Sequence, residues 1–189
     1  MQRLDEEKRA GITAAAVKLF ATRPFHKVRL DDVAAAAKVG KGTVYLYFKS
    51  KDDLYISIVF DSFAEVLKHL RDQLSGQTES AWESLRRIVA ALSHFAVSNP
   101  NIYELMRTVP LDKQRSDQRR ELTDLLEQTI RRGIRAGEMV DAHPELTATF
   151  VPSMVRAAMV FGPKELSEDV LINQILRLLK QGLVRGDSK

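Results

Sequence analysis

The sequence predicts an all-α fold of nine helices, and three observations carry that prediction. Apolar residues recur at intervals of three and four along nearly the whole 189-residue chain. No stretch alternates apolar and polar residues as a half-buried strand would. Proline, glycine and short polar runs interrupt the helical pattern at element boundaries. Hydrophobic residues make up 44% and charged residues 29% of the chain, which is ordinary for a globular protein long enough to bury a core.

The elements follow in order. Ile12, Ala15, Ala16, Leu19 and Phe20 form one apolar stripe on a first helix over roughly 4–22, which Pro24 stops. Asp31 to Lys38 is a short Ala-rich helix with two acids in its first turn, where the helix dipole favours them. Val39-Gly40-Lys41-Gly42 reads as a turn and Thr43 to Phe48 as another short helix. Ser50 is the N-cap of a long fourth helix over roughly 51–74, with Asp53 at its third position in a relative of the capping box. Its apolar residues include Leu54, Ile58, Val59, Phe63, Leu67 and Leu70, and Ser75-Gly76-Gln77-Thr78 breaks it.

Trp82, Leu85, Val89, Leu92 and Ala96 stripe a fifth helix that ends at Asn99-Pro100. A shorter sixth covers about 101–108 and stops near Pro110. Leu122, Leu125, Leu126, Thr129 and Ile130 mark a seventh that ends at Gly137. Pro144 suits the first turn of the eighth, which runs to about Phe161 and should kink at Pro152. The ninth, about 166–184, carries Ile172, Ile175, Leu176, Leu179 and Leu183 on one stripe, with Leu171 and Leu178 on a neighbouring face.

Composition narrows the function. The chain has no cysteine, so a disulfide framework, a thiolate zinc site and a cysteine nucleophile are excluded. His26, His69, His94 and His143 form no metal-binding pair at helical spacing, and no metal or other cofactor is expected. Neither a phosphate-binding GxxxxGK[ST] loop nor a GxSxG elbow occurs. The expected class is not an enzyme. No apolar run approaches the ~18 residues of a membrane span, and residues 1–8 are charged without an apolar stretch. No contact with membranes is expected, and the cytoplasm is the expected compartment.

Charge is unevenly spread. Residues 1–51 hold 11 basic and 5 acidic residues, a net +6, whereas residues 52–189 hold 18 basic and 20 acidic, a net −2. A basic head on a slightly acidic remainder suggests an anion-binding module joined to something else. Within that head, two short helices around a glycine-bearing turn match a helix-turn-helix, whose second helix enters the major groove. Val44 and Phe48 should face inward, leaving Thr43, Tyr45 and Tyr47 away from that seam and Lys41 just before the helix. Hydroxyls, a cation and free amides there suit phosphate oxygens and base edges.

The run from Asp31-Asp32-Val33-Ala34 through Val39-Gly40-Lys41-Gly42-Thr43-Val44-Tyr45-Leu46-Tyr47-Phe48-Lys49-Ser50-Lys51-Asp52-Asp53-Leu54 resembles the signature of TetR-type transcriptional regulators. With the preceding Ile12 to Phe20 pattern, the likeness covers about residues 8–60. Arg135-Ala136-Gly137-Glu138 and His143-Pro144-Glu145-Leu146 extend it more weakly into the remainder. The resemblance implies a bacterial one-component repressor. It would have a three-helix DNA-binding head over 1–50 and a helical effector-binding and dimerisation body over 51–189. Its implied partners are palindromic double-stranded operator DNA, a second copy of the chain and a small apolar or amphipathic effector. By position, Lys41, Gly42, Thr43, Tyr45 and Tyr47 would meet DNA, Lys51 would bind a backbone phosphate, and Lys49 is a further contact. Two departures stand out. The loop after the first helix lacks the usual glycine, and Arg29 stands where a capping threonine is common. Arg29 then either meets a phosphate or is solvated.

In the family the last two helices form a four-helix bundle between subunits. Ile172, Ile175, Leu176, Leu179 and Leu183 are the expected dimer stripe. An effector pocket is expected between the fourth and eighth helices. Its apolar candidates are Phe60, Phe63, Trp82, Phe95, Tyr103, Met106, Phe150 and Met154, and its polar ones His94, Glu104, Arg107 and Arg156. Arg156 could pair with an acidic ligand or with a structural partner, and Met154 could serve pocket or dimer. The alternative is an architectural helix-turn-helix protein without an effector, which would not release DNA when a small molecule is added.

Overall fold

The computed structural model describes residues 2–75, 79–105, 113–163 and 165–183. Among them are nine α-helices, one 3-10 turn and no strand. Among the described residues the chain divides into two compact units, the first taking the residues up to Ser62 together with Leu105, and the second Phe63–Glu104 and the residues from Lys113 on.

The first unit holds α1 (Gln2–Thr22), a 3-10 turn (Phe25–Lys27), α2 (Leu30–Ala36), α3 (Lys41–Tyr47) and the opening turns of α4 (Lys51–Leu74). Its core gathers Ile12 and Ala16 from α1, Val28, Leu30, Val33 and Ala34, Val44 and Phe48 from α3, and Leu54 from α4. The helical stripe seen in the sequence is therefore the buried face of α1.

The caps explain the element boundaries. Arg29 offers α2 no side-chain acceptor, but Asp32 Oδ2 accepts the Arg29 N–H at 3.2 Å, half of a capping box. At the other end of α2, Lys38 takes a left-handed φ of 56°. Its N–H reaches the Ala35 carbonyl at 3.2 Å and the Val39 N–H reaches Ala34 at 3.0 Å. That is a Schellman ending with lysine where glycine is usual. Gly40 is the N-cap of α3, so the helix opens at Lys41, two residues earlier than the glycine-rich turn suggested. Ser50 Oγ accepts the Asp53 N–H at 3.0 Å, and Asp53 Oδ2 accepts the Lys49 N–H at 3.1 Å. The capping relative expected at the start of α4 is present.

The second unit holds the remainder of α4 with α5 (Ala81–Ser98), all but the last residue of α6 (Ile102–Leu105), α7 (Lys113–Arg135), α8 (Pro144–Phe161) and α9 (Glu168–Leu183). Its core includes Leu67, Leu70, Leu85, Ile88, Leu126, Ile130, Val151 and Val155. Gly137 ends α7 at φ 74°, with the Glu138 N–H on the Gly133 carbonyl at 2.9 Å. The ends of α5 and α7 meet antiparallel: Arg132 donates to Ser84 Oγ at 2.6 Å, and the Ala81 N–H donates to Glu138 Oε2 at 2.7 Å. Helix α8 is continuous across Pro152.

The expected dimer stripe of α9 divides between the core and the half-buried surface. Ile175, Leu179 and Leu183 are buried in the chain's own core together with Leu171, and Ile172 and Leu176 are half-buried. The i, i+4 row 171–175–179–183 packs inward against α5 and α8. Those side chains are not free to meet another subunit. The outward apolar residues are instead Val170 (57% exposed) and Leu178 (44%), with Leu146, Phe150, Val160 and Phe161 along α8. No described helix is long and apolar enough to cross a membrane.

Candidate nucleic-acid interface

Helix α3 is anchored by Val44 and Phe48, which are 0% and 2% exposed. Its other side carries Gly42, Tyr45 and Leu46 in the open and Thr43 half-buried. The two expected readers differ. Tyr45 is exposed, as the spacing predicts. Tyr47 is half-buried against the head core and donates its hydroxyl to Asp5 Oδ1 at 3.2 Å. Burial and that hydrogen bond hold its phenol above the ordinary tyrosine pKa.

The cations are not equivalent either. Lys41 is exposed and pairs with Asp31 on α2, Nζ to Oδ1 at 2.8 Å. The hydrogen bond and charge of that carboxylate raise the lysine's pKa. Lys49 and Arg29 are exposed beside α3 and α2. Lys51 is half-buried: its ammonium donates to the Phe25 carbonyl at 3.0 Å and stands 4.3 Å from the centre of the Phe25 ring. Phe25 belongs to a trio with Phe20 at 5.7 Å and Tyr55 at 5.0 Å. The lysine expected to hold a phosphate is therefore also a staple between α4 and the loop that follows α1. Sequence reasoning missed this role, because Phe25 and Tyr55 belong to no periodic stripe.

Arg9 was likewise unremarked. It donates to Ser57 Oγ at 2.8 Å and lies 5.5 Å from the centre of the Phe48 ring. It thus links α1, α4 and the end of the reading helix within the head. Glu6, Arg9, Ala10, Thr13, Ala14 and Asp61 line an open groove of about 350 Å³ in the same unit.

Most of the described effector candidates belong to the core cluster of the second unit or pack against it. Phe63 is buried, with its ring 4.8 Å from that of Phe95. Trp82, Phe95, Tyr103 and Met154 are half-buried against the core of the second unit. Burial pushes the Tyr103 phenol up to about 12, while the Arg156 charge opposes the rise. Phe60 is half-buried and lies in the first unit. Two candidates lie at the surface. Phe150 is 56% exposed on the outer stripe of α8 rather than in an interior. His94 is exposed and paired with Glu168 at 3.0 Å. Met106 and Arg107 lie outside the described residues, and the Glu104 side chain does too. Among the described residues no cluster of three His, Cys, Asp or Glu could hold a metal.

The inward-anchored α3, its exposed outer face and the cations around it make a helix-turn-helix DNA-binding head on a helical body. Residues 12–58 match the model of bacterial regulatory proteins, tetR family. Residues 12–58 thus form a TetR-type helix-turn-helix domain, and the chain is similar to transcriptional regulators that carry one. It is 26% identical over 181 residues to the uncharacterized HTH-type transcriptional regulator YhgD of Bacillus subtilis, covering 93% of this chain and 94% of that one. A crystal structure of a TetR/AcrR-family regulator from Thermobifida fusca superposes with a TM-score of 0.73 at 25% identity, over 93% of this chain and 98% of the other. The regulator FadR from Bacillus subtilis, solved in complex with stearoyl-CoA, shares the fold. Its TM-score is 0.68 at 20% identity, over 92% and 98% of the two chains.

Proposed function

We propose that the chain is a ligand-responsive repressor that binds a palindromic operator as a homodimer and releases it when an amphipathic molecule with an acyl-like apolar part enters the body. The observation that carries the ligand half is a pair of buried polar atoms without hydrogen-bond partners, Ser93 Oγ and Gln118 Oε1. Ser93 is 0% exposed and Gln118 is 7% exposed. The antiparallel pairing of α5 and α7 brings them toward the same end of the second unit. Each orphaned group costs about 1–3 kcal/mol, a cost that a bound polar head group would remove. Tyr103, Phe95 and Met154 offer apolar surface on the same unit. The stearoyl-CoA held by a protein of this fold supports an acyl chain with a polar head as the first ligand class to try.

The dimer half rests on the outer apolar row of α8 and α9, where Phe150, Phe161 and Val170 are 56%, 86% and 57% exposed. Large apolar side chains left exposed in this number suit an interface. A two-fold dimer would also double the short contact that one α3 makes. DNA contacts are assigned to Lys41, Thr43, Tyr45, Lys49, Arg29 and Lys51, with Tyr47 supporting α3 from beneath.

The test begins with selection of an operator from random duplexes by the full chain, which should return an inverted repeat. Saturated acyl-CoAs of increasing length, stearoyl-CoA included, are then titrated into the operator complex. Release should be matched by an equal weakening of ligand binding when operator is present, because coupling between two sites is reciprocal. If no acyl-CoA changes operator affinity, the acyl assignment fails. If the selection returns single asymmetric sites, the dimer fails.

A further inference from the structure

We propose that Leu46 is a specificity-determining residue of the head, packing against the C5-methyl group of a thymine in the major groove. The inference rests on the DNA-binding reading above. With Val44 and Phe48 fixing the inward direction, a turn of about 100° per residue places Leu46 and Gly42 on the opposite, outermost ridge of α3. Leu46 is 82% exposed. A side chain on Gly42 would meet nothing within 4 Å, so its absence leaves that part of the ridge as bare backbone. The outermost ridge thus presents bare backbone and, one turn on, an isobutyl group, with Tyr45 on one flank.

This arrangement does not serve the head's own core, which Val44 and Phe48 already fill. An apolar side chain has no hydrogen bond to give a base edge. On the major-groove side the apolar mark of a base pair is the thymine methyl, and apolar contact with it is a recognised form of direct readout. The bare backbone at Gly42 lets the ridge come close enough for a leucine to reach it.

The test uses the full chain and the operator selected from random duplexes. Each thymine of a half-site is replaced singly by uracil, which removes only the methyl group. One position per half-site should lose about three- to fivefold in affinity, the worth of burying about one methyl group. With Leu46→Ala that position should become indifferent to the replacement, while Leu46→Met should keep the sensitivity. Thermal melting should be unchanged in both variants, since Leu46 lies outside the core. A uracil profile identical for the parent chain and Leu46→Ala, or one with no sensitive thymine, overturns the proposal while leaving DNA binding intact. Selection that returns no preferred sequence overturns both this proposal and the DNA-reading role on which it rests.

Discussion

The Asp31–Lys41 pair gives the DNA reading a quantitative test. Lys41 must leave a carboxylate 2.8 Å away before it can serve a phosphate. Both side chains are more than half exposed, at 60% for the lysine and 55% for the aspartate, so the pair is screened and replaceable. Asp31→Asn removes the competing charge and keeps the side-chain shape. If Lys41 meets a phosphate, the variant should gain affinity for operator and random duplex alike. Its binding should also depend more steeply on salt, by up to about 1.8 in the log–log slope for the dimer, the worth of one phosphate contact in each half-site. Between 50 and 200 mM salt that difference amounts to about 12-fold in relative affinity. The assay is fluorescence anisotropy on both duplexes across that range. The control is the double variant Asp31→Asn/Lys41→Gln, in which the gain should vanish if the two residues act through each other. Parent-like slopes for Asp31→Asn, or a gain that survives in the double variant, would refute a role for Lys41 at the phosphate.

Three further outcomes are expected. Lys51→Met should destabilise the protein by about 1–2 kcal/mol in urea unfolding, because the Phe25 carbonyl loses a charged donor and the ring its cation; unchanged stability would remove the staple. Tyr103 should ionise late by phenolate absorbance, near a pKa of about 12. Because that value is raised on folding, its stabilising contribution is complete below the ordinary tyrosine pKa of about 10 and is lost as the pH climbs through the folded value. Tyr103→Phe should therefore flatten the fall of stability in that alkaline window. Phe161→Glu, at a position 86% exposed, should leave monomer stability nearly unchanged and convert a dimer to a monomer in sedimentation; a dimer that persists would place the interface elsewhere.

Local signals were legible where a residue's role is decided by its immediate neighbours. The inward pair Val44 and Phe48, the Ser50 and Asp53 cap, and the stop at Gly137 all follow from spacing and turn chemistry, and all are present. Roles decided across the fold were not legible. The stripe of α9 was visible, but periodicity alone does not say which apolar face turns inward, and the inner row is the one containing Ile175 and Leu179. Lys51 carries a charge that suits DNA, yet the loop carbonyl and ring that it meets are 26 residues away in sequence. The segment that reads as the turn of the helix-turn-helix has two glycines, but Gly42 lies inside α3 and the left-handed residue is Lys38.

The way α4 serves the head bears on how such regulators can be recombined. Leu54 is fully buried in the head core and Ile58 packs against it, both beyond the point where the helix begins. A reading head cut at residue 50 would leave those side chains behind and open a hole beneath α3. Transplanting this head onto another body therefore calls for a joint after Ser62, inside a continuous helix. Such a joint must keep the count of residues unchanged, since each one added or removed rotates everything beyond it by about 100°. Exchange of DNA specificity is in this sense a question of helical phase before it is one of base contacts.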